Sequence, residues 1–205
     1  MDFRSSKLGP VMNAIKRSIE LVNEGKHDEA VKACDWAAAE AKKLGLTSGA
    51  LFWHAAVAND YAGNWEAAFN HINHALDLDP LAEPFRNSFG IITNRIRGAL
   101  THADRAVDDP STPKLYEMLV RAGEADVSCH AVMARYAAAT GDLAKAKAIA
   151  DAATLLFPTS PEAWKAKSDV AAKSGDAAAV EACAVELAAL GEPLVPFAVP
   201  GVALS

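Results

Sequence analysis

Four short segments of this chain share one arrangement: a glycine, then polar or aromatic residues, then small residues that open a helical pattern. They are Gly25-Lys26-His27-Asp28-Glu29-Ala30, Gly63-Asn64-Trp65-Glu66-Ala67-Ala68, Gly141-Asp142-Leu143-Ala144-Lys145-Ala146 and Gly175-Asp176-Ala177-Ala178-Ala179-Val180. Gly141 and Gly175 are 34 residues apart, and Gly25 and Gly63 are 38 apart. A glycine just past a helix end supplies the positive φ that reverses the chain, and the Asn or Asp that follows can cap the next helix. Pro80 and Pro158 each lie 17 residues after a glycine, Gly63 and Gly141 respectively. Proline cannot continue a helix, so these positions separate one helical pair from the next. A unit of this length, two helices and a tight turn, cannot bury its apolar face alone and must stack on its neighbours.

The composition says how such helices meet. Alanine supplies 45 of the 205 residues, and aromatics only 7%. Alanine has the best helix propensity and lets helices approach closely. The core must therefore come from many small contacts between closely spaced helices.

The spacing and residue types resemble the tetratricopeptide repeat family. Residues 49–82 carry the family pattern at Phe52, Ala55, Ala56, Gly63, Ala68, Ile72, Ala75 and Pro80. Residues 127–160 carry it at Ala134, Gly141, Ala146, Ala153 and Pro158, and residues 161–191 at Trp164 and Gly175. A first repeat at about 11–44 keeps Gly25, Ala30 and Ala37, with its first helix at about 11–24. The resemblance implies an all-α, right-handed superhelical stack of antiparallel hairpins, about ten helices in residues 1–191. It also implies a protein-binding function. The family's peptide clamp for a carboxylate places polar residues where this chain has Ile15 and Ile19, so that clamp is not expected here. Trp164 and Trp65 match packing positions of the family.

The stretch 83–126 departs from the repeat. Phe85, Phe89, Ile92, Ile96, Leu100, Ala103 and Val107 fall on one face at helical spacing, predicting one long helix over 84–107 and a shorter one over about 113–123. On the polar side of the long helix, Arg86 and Arg97 stand about 20° apart at 100° per residue, with Asn94 nearby and Arg105 at the edge. Arginine forks grip carboxylates bidentately, so this stripe is a candidate wall for an acidic partner, set against the plain alternative of a solvated face. Trp53 lies one residue beyond the packing position of Phe52, with Val57, Asp60 and Tyr61 near the same side. Tryptophan and tyrosine are enriched at binding hot spots. The candidate partner-binding residues are therefore Trp53, Val57, Tyr61, Arg86, Asn94 and Arg97.

Chemistry has little support in the residues. His54, His71 and His74 lack further ligands at compelling spacing for a metal. Cys129 and His130 are sequence neighbours and point about 100° apart on a helix. The three cysteines, Cys34, Cys129 and Cys183, form no CxxC pair and read as buried thiols. No cofactor and no catalytic residue is expected. A net charge of −6 argues against nucleic acid as a partner. The N-terminus lacks a secretory pattern and no long apolar run suggests a membrane span, which makes the cytoplasm the expected location. Residues 192–205 form an apolar tail with three prolines, expected to be extended and to cover an end of this chain or of another copy. The favoured function is a scaffold or adaptor that takes a partner peptide or helix in a concave groove. The rivals are a structural protein self-assembling through its end repeats or tail, and a regulatory or metal-binding helical protein.

Overall fold

The computed structural model describes residues 3–46 and 48–192. They form ten helices and no strands. These are α1 (Phe3–Asn23), α2 (His27–Lys43), α3 (Gly49–Tyr61), α4 (Trp65–Leu78), α5 (Glu83–Leu100), α6 (Thr112–Ala122), α7 (Val127–Ala139), α8 (Leu143–Leu156), α9 (Pro161–Ser174) and α10 (Ala177–Ala189). The expected tail lies outside the described residues, apart from Glu192. The helices fall into two compact units, divided between Ile96 and Arg97 within α5.

The glycine turns close the hairpins as the sequence implied. Gly25, Gly63, Gly141 and Gly175 have φ of 74°, 75°, 91° and 75°. At each, the next residue donates its backbone N–H five residues back: Lys26 to Leu21, Asn64 to Asn59, Asp142 to Ala137 and Asp176 to Ala171, all at 2.8–2.9 Å. This bond satisfies a helix-end carbonyl and fixes the reversal. Asp142 and Asp176 then cap the next helix, accepting from Lys145 N at 3.1 Å and Ala179 N at 3.0 Å. Asn64 makes no such side-chain bond.

In unit 1 the core joins Val11, Ile15 and Leu21 of α1 to Ala30, Cys34, Ala37 and Ala41 of α2, and to Leu51, Ala55 and Ala58 of α3. Phe69, Ile72 and Ala75 of α4 are also fully buried. In unit 2 Met133, Ala134, Ala137 and Ala138 of α7 pack with Ala146 and Ala150 of α8 and Val170 of α9. The cores are alanine-rich, as the composition demanded. All three cysteines are buried and unpaired, and burial pushes the Cys129 thiol up to about 11.

Three expectations are corrected. Helix α1 starts at Phe3 rather than near residue 11, with Pro10 inside it. Helix α5 ends at Leu100, not at 107, and is 18 residues long. The periodic pattern runs on through Ala103 and Val107, but the chain turns at Thr101. Arg105 folds back, donating to Ala99 O at 2.8 Å and to Thr112 Oγ1 at 3.1 Å. It also pairs with Asp109 at 3.1 Å and bonds the Ser111 hydroxyl. The arginine thus supplies the donor that a further helical turn would have given, and is a cap rather than part of a binding stripe. Trp164 is half-buried instead of core, its indole N–H donating to Pro158 O at 2.8 Å.

Gly49, the first residue of α3, has a steric reason that the sequence hides. A Cβ there would lie 2.6 Å from Phe85 Cε2 and 3.1 Å from the Ala75 carbonyl oxygen. The Phe85 ring is buried and lies 6.0 Å from the Trp53 ring, so it has little room to retreat. Gly49→Ala is expected to lower stability by about 1–3 kcal/mol, the usual range for overpacking. A denaturant midpoint equal to that of the parent would contradict this.

Candidate functional site

Successive first helices of the hairpins are tied by polar side-chain bridges about one repeat apart in sequence. In unit 1 α3 meets α5 through Trp53 Nε1, which donates to Ser88 Oγ at 2.7 Å, and through Arg95 Nη1, 2.6 Å from Asp60 Oδ2. In unit 2 α7 meets α9 through Ser128 Oγ, donating to Glu162 at 2.8 Å, and through Arg135 Nε, donating to Asp169 at 2.8 Å. In each case the two bridges are seven residues apart along both helices, two turns, and so fall on one side.

These bridges determine what the sequence-predicted residues can do. Trp53 is half-buried, with its indole donor engaged and its ring against Phe85. Val57 is half-buried on α3. Tyr61 is 51% exposed. Its ring stacks on His27 with centroids 5.7 Å apart, and the Arg95 guanidinium lies 5.5 Å from its centre. Arg86 and Asn94 are exposed on α5. Arg97, in unit 2, is already gripped by acids of its own chain: Glu124 at 2.8 Å and Asp126 at 3.2 Å, with a further bond to the Glu124 carbonyl at 2.8 Å. The arginine that reaches the Tyr61 surface is Arg95, which the sequence reading passed over. Its signal was a spacing of one repeat from Asp60.

Asp60 is the unusual member of this group. It is 7% exposed, and its Oδ1 is buried without a hydrogen-bond partner. Burial raises its carboxyl above the usual range, and Arg95 pulls it back down.

Next to this surface lies a groove of about 230 Å³ between α1 and α3. Leu8, Val11, Met12 and Ile15 of α1 face Ala50, Leu51 and His54 of α3 across it. Met12 is 53% exposed and Ile19 further along α1 is also exposed. Leu8, Met12, Ile15 and Ile19 fall on one side of α1 at helical spacing, a signal legible in the sequence but not exploited there. Ala50, His54, Val57 and Tyr61 repeat that spacing on α3. Burial in the groove wall holds the His54 imidazole below its usual range.

Unit 2 has a larger cleft of about 510 Å³. Val132 and Arg135 of α7, Glu162 of α9, and Arg105 and Val107 of the segment after α5 are among the residues that line it. Behind it, His130 is buried, with Nδ1 2.7 Å from the Tyr116 hydroxyl and its ring 5.9 Å from Phe157. Burial lowers its pKa, and Asp126 opposes the shift.

The remaining histidines are dispersed. His71 Nε2 is 3.3 Å from Asp35, and His74 meets the Phe52 ring edge-on at 4.1 Å. Among the described residues no three His, Cys, Asp or Glu side chains are placed to hold a metal ion. No helix among them is long and apolar enough to cross a membrane.

No family model matches the sequence, and no curated protein does. Among solved structures the chain is similar to residues 41 to the end of MamA from Desulfovibrio magneticus RS-1, at 14% identity and a TM-score of 0.37, covering 89% of this chain and 93% of that one. It is similar to the TPR2AB domain of yeast Sti1 in complex with pHSP90, at 13% identity and a TM-score of 0.40, covering 88% and 79%. It is also similar to YrrB, a TPR protein with an unusual peptide-binding site, at 14% identity and a TM-score of 0.38, covering 86% and 84%. The hairpin architecture of this chain rests on its own helix pairing and turn geometry.

Two outcomes follow from the buried groups. Arg95→Met leaves the Asp60 carboxylate buried without its counter-charge, which should cost about 1–3 kcal/mol, less than for a fully buried pair because Arg95 is partly solvated. The Asp60→Asn, Arg95→Met double variant should recover most of that loss in denaturant unfolding; a double variant no better than Arg95→Met alone would refute the pairing. The histidines give a pH dependence. His54 and His130 take up protons less readily when folded than when unfolded, so below about pH 6.5 the unfolded chain binds more protons and stability falls with falling pH. Thermal midpoints should drop from pH 7 to pH 5, and His54→Asn and His130→Asn should each flatten the slope.

Proposed function

We propose that this chain is a protein-interaction scaffold, and that the α1–α3 groove of unit 1 receives apolar side chains of a partner peptide or helix. The observation that carries this reading is the groove itself. Its lining is mostly apolar, with Ser48 and His54 the polar members, and it is bordered by the exposed Met12. At about 230 Å³ it falls below the roughly 300–1,000 Å³ of typical small-molecule pockets. It suits protruding side chains rather than an enclosed ligand. Each such side chain that leaves water contributes about 1.5–3 kcal/mol, so two or three anchors suffice for a useful affinity once association entropy is met.

Val57 and Tyr61 extend the contact along α3. Tyr61 is already held rigid between His27 and Arg95, so little ordering is lost when a partner packs on it. Trp53 acts from behind, fixing α5 to α3. Arg86 and Asn94, exposed on α5, supply the polar rim, and Arg86 favours an acidic residue on the partner. Arg97 serves its own fold through Glu124 and Asp126. The reading places the protein among cytoplasmic adaptors acting on proteins rather than nucleic acid, in keeping with its net charge of −6.

The test compares partners captured from native extract by the parent chain and by Met12→Glu, Tyr61→Ala and Arg86→Glu variants of matched melting temperature. Binding of a purified captured partner should weaken at least about tenfold, 1.4 kcal/mol, for Met12→Glu. Arg86→Glu should weaken it less and chiefly at low salt. Full retention by both Met12→Glu and Tyr61→Ala would discard the groove.

A further inference from the structure

The side of α7 that lines the unit 2 cleft carries Ser128, Val132 and Arg135, at helical spacing. Ser128 and Arg135 are two turns apart, about 10 Å along the helix axis, with Val132 between them. The hydrogen-bonding capacity left at the two ends is of opposite kind.

At the Ser128 end only acceptors remain. The Ser128 hydroxyl donates its proton to Glu162 Oε2 at 2.8 Å, so its oxygen can only accept. Glu162 Oε1 has no partner among the described residues. Nor does this carboxylate have a counter-ion among them, since Lys165, one turn on along α9, is taken by Glu192 at 2.6 Å. The arginines of the lining are paired, Arg105 with Asp109 and Arg135 with Asp169. At the Arg135 end only donors remain. Its Nε is spent on Asp169 at 2.8 Å, but its two Nη groups have no acceptor among the described residues. With its charge balanced, Arg135 draws little from a distance. A carboxylate in contact with it still finds a planar pair of donors.

Between the ends the lining is apolar: Leu100, Ala103, Ala106, Val107 and Val132. Val107 is 55% exposed. The remaining polar members are Thr101, whose hydroxyl donates to Arg97 O at 2.9 Å, and His102, whose side chain is 67% exposed at the rim. The cleft, at about 510 Å³, lies within the roughly 300–1,000 Å³ of small-molecule sites.

We propose that the unit 2 cleft binds a small zwitterion, with an ammonium group at one end, a carboxylate about 10 Å away at the other, and an apolar middle. The ammonium, which has three N–H donors, meets Glu162 Oε1 and Ser128 Oγ. The carboxylate lies against the Nη groups of Arg135, and the middle covers Val107 and Val132. Apolar burial supplies the affinity, and the two ends fix direction and length. An extended tripeptide with free ends spans about 10 Å, and ω-aminooctanoate has a similar span. The site is separate from the unit 1 groove and does not rest on it.

Calorimetric titration of the full chain with alanyl-valyl-alanine tests this. The N-acetylated and C-amidated forms, and the shorter alanyl-valine, should each bind at least about tenfold more weakly, as loss of a hydrogen bond to a charged group implies. Glu162→Gln should abolish the penalty for acetylation and keep that for amidation, and Arg135→Gln should do the reverse. Arg135→Gln also cuts the bridge to Asp169. Val107→Glu, at an exposed position, therefore serves as a second variant, and should weaken binding at an unchanged melting temperature. Met12→Glu, in unit 1, should leave it unaltered. Binding of ω-aminooctanoate as tight as that of the tripeptide would support a site read by its ends alone. Binding of the tripeptide without it would support a free peptide as the ligand. No binding of either probe at millimolar concentration would overturn the proposal. So would equal affinity for free and blocked tripeptides, or end preferences untouched by Glu162→Gln.

Discussion

The hairpins of this structure depend on the reversal at the ends of α1, α3, α7 and α9, where a glycine takes φ near 75–90° and the following N–H bonds five residues back. A side chain at those positions would meet nothing within 4 Å. The demand is therefore on backbone conformation and not on space, which is why glycine recurs while its neighbours vary. The bond sets the phase of the next helix relative to the last. With that phase fixed, the small residues Ala30, Ala68 and Ala146 land against the preceding helix and are fully buried. Alanine at those positions lets the two backbones close up. Displacing the turn by one residue would rotate the whole second helix by about 100° and turn those alanines away.

Helices joined this closely have a small core per pair, and the fold compensates with polar ties. The bridges between α3 and α5 and between α7 and α9 use different residues for the same purpose: indole to hydroxyl and guanidinium to carboxylate in one, hydroxyl to carboxylate and guanidinium to carboxylate in the other. Two bridges two turns apart resist both sliding and rotation of one helix on the next, which a single contact cannot. Alanine faces, being smooth, need that restraint more than faces of interlocking large side chains do.

The parts of this architecture visible in the sequence are those set by backbone chemistry. Gly63, Gly141 and Gly175 announce turns because positive φ nearly requires glycine, and Pro80 and Pro158 announce breaks because proline has no N–H to give. The end of α5 is different. Ala103 and Val107 continue the apolar period past Leu100, and only Arg105, reaching back to Ala99 while held by Asp109 and Thr112, shows that the chain has turned. Such a cap is made of side-chain contacts with no sequence period. The interaction surface lies between these cases. Tyr61 and Val57 follow from their place on α3, but the pairing of Arg97 with Glu124 and Asp126 joins a helix to a turn 27–29 residues on, a distance that no repeat period marks. Asp60 and Arg95 are separated by 35 residues, close to one repeat, and a search of equivalent positions would have found them.

The same ties explain why the exposed faces are better distinguished by apolar shape than by charge. An arginine on a first helix that bridges to its neighbour has lost most of its pull on a distant carboxylate, because its field is cancelled within a few ångströms by the acid it holds. Arg95, Arg97, Arg105 and Arg135 are all in that state. Counting basic residues on a helix face therefore overstates how attractive it is to an acid. What the two grooves leave exposed at their edges is apolar: Met12 beside one and Val107 beside the other. Neither side chain can be satisfied by a hydrogen bond or a counter-ion, and water is a poor neighbour for both. Burial against another apolar group is the one change of environment that lowers their free energy. Where the neighbouring arginines are already paired within the chain, apolar burial is the drive toward association that each groove retains.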